Sequence, residues 1–372
     1  MKLTAKVKLL TDAEQFRALE STLKAANTAC DWISEQAWQA RQFKAYPVHA
    51  MTYHPARDRF GLSAQIAARC IAKVADAYKL DKSTKRAFRP TGSIAYDDRI
   101  LTWHVDKMTV SIRSDSGRLK IPFAAGDKQI ALLRNRQGES DLILYKGAFY
   151  LAATCNVEQP TPAQVKDFLG VDLGIANIAA DSDGARYSGS EVKSVRHRQR
   201  RLRKKLQKKH TTSANRRLKK LAGKEHRFAT HTNHVISKQI VATAKGTGRG
   251  ISVEQLTGIR GRVKVRHGQR VVLHSWAFLQ LKMFLLYKAA LAGVALVQVD
   301  PRNSSRECSA CGNIDKLNRS SQSRFSCRAC GFTVHADLNA ARVLAGRAVV
   351  NPPYAAVGFQ PTDPQSYRLL AG

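Results

Sequence analysis

Cysteine is the residue type whose spacing says most in this chain. Cys308 and Cys311 in "CSACG", and Cys327 and Cys330 in "CRACG", form two C-x2-C pairs with fifteen residues between them. A tight knuckle presents two thiolates, and a second knuckle completes a tetrahedron, the arrangement that zinc takes. A glycine follows each pair, Gly312 and Gly331. Four protein ligands leave no open coordination position, so one structural Zn²⁺ is expected. It would hold a basic finger carrying Arg302, Arg306, Lys316, Arg319, Arg324 and Arg328. The other cysteines, Cys30, Cys70 and Cys155, lie singly among apolar residues and read as buried thiols of a reducing compartment.

Carboxylates are scarce, with 28 Asp and Glu against 62 Lys and Arg, so an acid inside an apolar run is informative. Asp172 stands in "FLGVDLGIANIAADSDG". Strand alternation puts Val171, Leu173 and Ile175 on one face and Gly170, Asp172 and Gly174 on the other, leaving small neighbours around the carboxylate. Glu254 stands in "GISVEQLTG", with Ile251 and Val253 toward the core and Glu254 pointing away with Ser252. Asp337, in "VHADLNAARVL", falls in the first turn of a helix. Each acid alone has a plain structural account: a strand-edge acid, a strand-end charge, an acid favoured by a helix dipole. Together, two strand acids and one helix acid could hold two Mg²⁺ (or Mn²⁺) ions and drive phosphodiester hydrolysis.

"VDLGIAN" also resembles the first phosphate loop of actin-like and Hsp70-like ATPases. Against that reading stand the charge of the chain, the lack of a second matching phosphate loop, and the cysteine pairs just ahead of "HADLNAA".

The elements that must position these residues follow from periodicity. Residues 2–10 alternate as a strand, 12–80 have helical spacing, and 90–157 alternate again with turn signals. This predicts an antiparallel barrel or sandwich, joined by the first strand, with helices inserted between. "EQPTPAQ" reads as a linker. From 168 the order becomes strands at 168–180, a basic helical region at 191–245, a strand at 250–256, a helix at 276–292, a strand at 294–300, the cysteine pairs, and a helix from about 336. That is α/β order with a small insertion. The last two dozen residues read as an irregular tail.

The formal charge is +34 and the pI about 10.3, which calls for a polyanionic partner, nucleic acid first. Between Lys193 and Lys220 there are 14 Lys or Arg in 28 residues and no acid. A merely solvated helix would mix signs, so this helical hairpin, with Thr212 or Ser213 capping its second helix, reads as phosphate-binding. His226, His231 and His234 lack metal-ligand pairing and read as packing or phosphate contacts. The most apolar window, Met283 to Val299, contains Lys288, Gly293 and Gln298, so no membrane partner is expected.

"GVDLGIAN", "ISVEQLTGIRGR", "LYKAALAGVALVQVDPRNSSRECSACG" and "CGFTVHADLNAAR" occur in order, and together they resemble the TnpB family, the transposon-encoded OrfB proteins related to type V CRISPR effectors. The resemblance covers about 165–345 strongly and the N-terminal half in organisation only. The acids are 82 and 83 residues apart, which fits the family's split RuvC nuclease. Ser304-Ser305 stands where the family often has Thr-Ser, and Val343 where it often has Asn.

The resemblance implies an RNase H-like (RuvC) domain with an inserted zinc ribbon, and an N-terminal wedge β-barrel interrupted by a helical recognition domain. The boundaries are a wedge strand at 1–11, recognition helices at 12–88, wedge barrel at 89–160, RuvC at 165–302, zinc insertion at 303–334, RuvC again at 335–347 and tail at 348–372. It implies Asp172, Glu254 and Asp337 as the metal-binding catalytic triad. Arg196, Arg200, Arg203, Lys204, Lys208, Arg216 and Lys220 would line a nucleic-acid channel, and Arg260 and Arg262 a loop over the site. The implied activity is transposon-encoded, RNA-guided cleavage of double-stranded DNA beside a short adjacent motif, with a guide RNA from the transposon end. The alternatives are a nuclease-inactive RNA-guided repressor and a miniature CRISPR effector. A cytoplasmic, nucleoid-associated monomer is expected.

Overall fold

The computed structural model describes residues 1–174, 176–255 and 278–350. The chain divides between Val157 and Glu158 into two compact units.

In the first unit, β1 (Lys2–Leu9) is followed by three helices, α1 (Ala13–Gln39), α2 (Ala45–Phe60) and α3 (Ala64–Leu80). The remaining strands are β2 (Ile94–Tyr96), β3 (Leu101–His104), β4 (Thr109–Ser114), β5 (Gly117–Ala124), β6 (Arg136–Tyr145) and β7 (Ala148–Asn156). They form a seven-stranded sheet in the order β2-β6-β7-β1-β5-β4-β3. The edge strands β2 and β3 are consecutive in sequence, and Trp103 Nε1 on β3 donates to Ser140 Oγ on β6 at 3.3 Å, so the sheet is nearly closed.

Helix α1 starts where Asp12 accepts the N–H groups of Glu14 and Gln15 at 2.9 and 2.8 Å. Its stripe of Leu19, Leu23, Ala26, Cys30 and Ile33 is fully buried with Ile71 and Tyr78 of α3. Each large side chain so buried contributes about 1.5–3 kcal/mol of transfer free energy. One segment departs from the alternating pattern: Asp127–Leu133, "DKQIALL", is a helix, α4. Gln129 Oε1 accepts the Gly126 N–H at 2.9 Å, a capping contact that outweighs the strand-like run around Ile130.

The second unit begins with β8 (Phe168–Asp172), β9 (Asn177–Asp181) and β10 (Arg186–Ser188). Helices α5 (Ser190–Gln207), α6 (Thr212–Leu221) and α7 (Lys224–Gly246) lead to β11 (Gly250–Glu254). Then come α8 (Phe278–Ala292), β12 (Leu296–Val299), the small hairpin β13 (Arg324–Ser326) and β14 (Thr333–His335), and α9 (Ala336–Val350). The five-stranded sheet has the order β10-β9-β8-β11-β12, parallel from β8 through β11 to β12 and antiparallel at β9 and β10.

Both faces of this sheet are covered. On one, Val171, Ile251 and Val253 pack with Ile236 and Ile240 of α7 and Leu281 and Leu285 of α8. On the other lies α9, so close that a methyl group on Gly170 would overlap the Ala341 carbonyl. Gly170 admits a helix rather than leaving room beside Asp172, and Ser252 is fully buried rather than pointing away from the core. Central parallel strands are covered on both sides by their crossover helices.

The cap of α6 is Thr211, which accepts the Ala214 N–H at 3.2 Å, and neither Thr212 nor Ser213 fills that role. The buried positions of α5 are Val192, Gln199 and Leu206, whereas Leu202 is partly exposed. Residues 348–350, expected in the tail, are the last turn of α9. Among the described residues, no helix is long and apolar enough to cross a membrane.

Candidate active site

Parallel pairing sets two of the three acids side by side. Val253 is in register with Val171, so Glu254 and Asp172 end neighbouring strands at the same edge of the sheet. The crevice beyond the C-terminal strand ends is where open α/β sheets receive ligands. Asp337 comes from α9, one turn before Ala341, the residue that meets Gly170. Residues four apart share a helix face, so Asp337 is carried to the same side of β8 as Asp172.

The electrostatics tie the three together. Burial, and then the Asp337 charge, pushes the Asp172 carboxyl up to about 7. Burial, and then the Asp172 charge, pushes Glu254 up to about 8, against the pull of the Leu173 N–H and Lys282. Among the described residues neither acid makes an ion pair, although each is partly open to solvent. Asp337 is better provided: Oδ2 accepts from Asn177 Nδ2 at 2.8 Å, and Arg319 Nη2 lies 3.6 Å from Oδ1. Carboxylates brought together at the end of a sheet and only partly offset by nearby cations are a donor set suited to hard divalent cations. The sequence reading did not foresee Asn177, and it placed Arg319 only among the basic residues of the finger.

The cysteine quartet is tighter. The Sγ atoms of Cys308 and Cys330 are 3.7 Å apart, those of Cys311 and Cys327 3.6 Å, and all four lie within 4.8 Å of one another. A tetrahedron with Zn–S bonds of about 2.3 Å has edges of about 3.8 Å, so the thiols fit zinc. Among the described residues this is the group of metal-type ligands that closes to that distance, and the three acids do not close so far. Gly312 and Gly331 have φ of 74° and 75°, the left-handed turn each knuckle needs. Asn318 cross-links the knuckles, donating to the Arg306 and Asn313 carbonyls and accepting the Arg328 N–H at 2.9 Å. Four thiols so arranged would leave no open coordination position on the metal.

In the basic hairpin, Arg196 Nε and Arg203 Nη2 both donate to Glu225, at 2.9 and 2.5 Å. These two are committed to an internal carboxylate. Arg200, Lys204, Lys208, Arg216 and Lys220 are exposed. Arg260 and Arg262, and the loop they were assigned to, lie outside the described residues, as does Ile175. His234 stacks on Phe284 of α8 with 3.8 Å between ring centroids, a packing role.

The OrfB_IS605 family model, described as "Probable transposase", matches residues 152–259, and the "Cas12f1-like, TNB domain" model matches 278–344. The two segments carry Asp172 with Glu254, and the cysteine quartet with Asp337. Over these segments the chain is similar to the TnpB and Cas12f proteins. Over 218 residues it is 36% identical to the "CRISPR-associated endodeoxyribonuclease Cas12f1" of Sulfoacidibacillus thermotolerans, covering 54% of this chain and 50% of that protein. It is 28% identical over 189 residues to the "TnpB-like protein MJ0751" of Methanocaldococcus jannaschii, covering 48% of this chain and 67% of the relative. Over 228 residues it is 27% identical to InsQ of Escherichia coli, whose name carries the words "RNA-guided DNA endonuclease", covering 55% of each chain. The chain thus spans about half the length of the Sulfoacidibacillus protein. Among solved structures, "Structure of the mini-RNA-guided endonuclease CRISPR-Cas_phi3" shares the fold, with a TM-score of 0.58 over 96% of this chain and 93% of that one, at 10% identity.

Proposed function

We propose that this protein is a transposon-encoded, RNA-guided DNA endonuclease whose catalytic acids are Asp172, Glu254 and Asp337. The observation that carries the reading is the convergence of three acids, 82 and 83 residues apart, at one edge of a parallel sheet, two of them raised well above the ordinary carboxylate range. The names of the relatives support the substrate and the guide.

In this reading the five-stranded sheet with α9 is an RNase H-like (RuvC) core, and the cysteine module is its zinc-ribbon insertion. The nearly closed barrel (1–11 and 89–160) is the wedge, and the three inserted helices (12–88) the recognition domain. Asp172, Glu254 and Asp337 would hold two Mg²⁺ or Mn²⁺ ions, which supply a water nucleophile and charge stabilisation for in-line displacement at phosphorus. Asn177 fixes the Asp337 carboxylate by donating to Oδ2. Arg319, beside the other oxygen, offers a cation where a phosphate would enter. The exposed cations of α5 and α6 track a nucleic-acid backbone.

The test is to purify the protein from its native locus, sequence the bound RNA, and challenge the complex with a randomised plasmid library. Asp172→Ala should abolish cutting and leave RNA binding intact; undiminished cleavage by that variant would sink the assignment. The likeness to Cas12f supports a second reading, a miniature CRISPR effector. A bound RNA templated by a repeat array, instead of by the transposon end, would favour it.

A further inference from the structure

We propose that Asn339 is a positioning residue of the nuclease site, locking the first zinc knuckle onto α9 and so setting where Arg319 meets Asp337. The inference rests on the nuclease reading above. Asn339 is two residues beyond Asp337 and fully buried. Its Nδ2 donates to the Glu307 carbonyl at 2.7 Å, and its Oδ1 accepts the Ser309 N–H at 3.0 Å. Those two backbone groups flank Cys308, itself fully buried. One planar amide thus grips both sides of a zinc ligand, as a paired strand would.

The grip closes a circuit. From Cys308 the thiol tetrahedron reaches Cys327 and Cys330, and Asn318 ties the Cys327 side back to Asn313 and Arg306. The next residue, Arg319, returns to Asp337, on the helix that carries Asn339. Eight residues further along α9, Arg347 binds the Glu307 side chain and the Asp300 and Arg302 carbonyls. Arg347 fixes the entry of the module, while Asn339 fixes the knuckle. Carboxylate, amide, metal module and guanidinium form one closed loop, and the amide is the link that is neither a metal ligand nor a catalytic group. Ligand-supporting residues of this kind act by orientation.

The test uses the full chain with its co-purified RNA. Asn339→Ala should keep its full zinc content and its target affinity and lower kcat roughly 10–100-fold, the range for residues that orient metal ligands. If Asn339 acts through Arg319, the Asn339→Ala, Arg319→Ala double variant should be no slower than the slower single variant. Wild-type kcat in Asn339→Ala, or losses that multiply in the double variant, would overturn the proposal. A second measurement does not need cleavage: a chelator should strip zinc from Asn339→Ala about tenfold faster than from the wild type. Should the wild-type complex cut no DNA, the nuclease reading falls, and an unchanged zinc-release rate would then overturn the clamp by itself. If Asn339→Ala does not fold, Asn339→Asp, which keeps the acceptor for Ser309 and loses the donor to Glu307, should still release zinc faster; release at the wild-type rate would count against the grip.

Discussion

Asp172 is held above its ordinary range by burial and by Asp337, and Glu254 by burial and by Asp172, and that has a thermodynamic signature. A carboxyl whose folded-state value is raised binds more protons folded than unfolded, so its contribution to stability falls as pH rises. The window runs from the ordinary carboxylate values near 4 up to about 7 for Asp172 and about 8 for Glu254. Without divalent cations, Asp172→Asn should melt at a higher temperature than the wild type at about pH 9, and the gap should shrink toward about pH 5. Added Mg²⁺ should raise the wild-type melting temperature and leave that of the variant nearly unmoved. A gap independent of pH would mean that Asp172 is not the strained acid described here. At this scale the sequence was legible where chemistry is local. The C-x2-C spacing picks out four thiols that the fold brings together, because a knuckle is four residues long, and the acids stood out against a basic chain. Asn177, Arg319 and Asn339 were not legible in these roles, because each works through contacts 18 to 160 residues away. The commitment of Arg196 to Glu225, 29 residues on, was hidden for the same reason.

At the scale of elements, the approach of α9 to β8 is the contact on which the site depends. Gly170→Ala places a methyl group against helix backbone, which cannot yield as a side-chain tip can. It should cost about 1–3 kcal/mol in denaturant unfolding and also lower cleavage, because α9 carries Asp337. Gly246, at the end of α7, has open space around it, and its change to Ala should be neutral or stabilising by up to about 1 kcal/mol. The basic hairpin divides in a similar way. Lys204→Gln and Lys208→Gln should each reduce the slope of log affinity against log salt by about 0.7–0.9 if they touch phosphate. Arg196→Gln should cost stability and leave the slope alone, since its partner is Glu225. The order of elements was largely readable from hydrophobic period. The coverage of both sheet faces was not, because Ser252 and Gly170 break the apolar run that a doubly covered strand normally shows. The helix α4 was missed because a capping contact, not periodicity, decides it.

At the scale of the molecule, a charge of +34 sets the balance between the free and bound states. Like charges on α5 and α6 repel until a polyanion screens them, so bound RNA should raise the melting temperature, and the increment should shrink with added salt. The sequence spoke plainly to this class of partner, because net charge is additive and needs no fold to be counted. It offered a barrel or a sandwich joined by the first strand, and could not say that this strand lies between β7 and β5. β1 is made before the other strands of its sheet, yet it pairs along its length with β7 up to Asn156 and at its end with β5. The three helices that follow can gather among themselves as they emerge. The barrel, however, must wait until the chain as far as Asn156 has been made before its first strand has its full neighbour on that side. Through that interval one edge of this strand, which carries Val7 and Leu9 beside its lysines, stays unpaired. Whatever shelters it during synthesis therefore bears on how much of this protein a cell can accumulate.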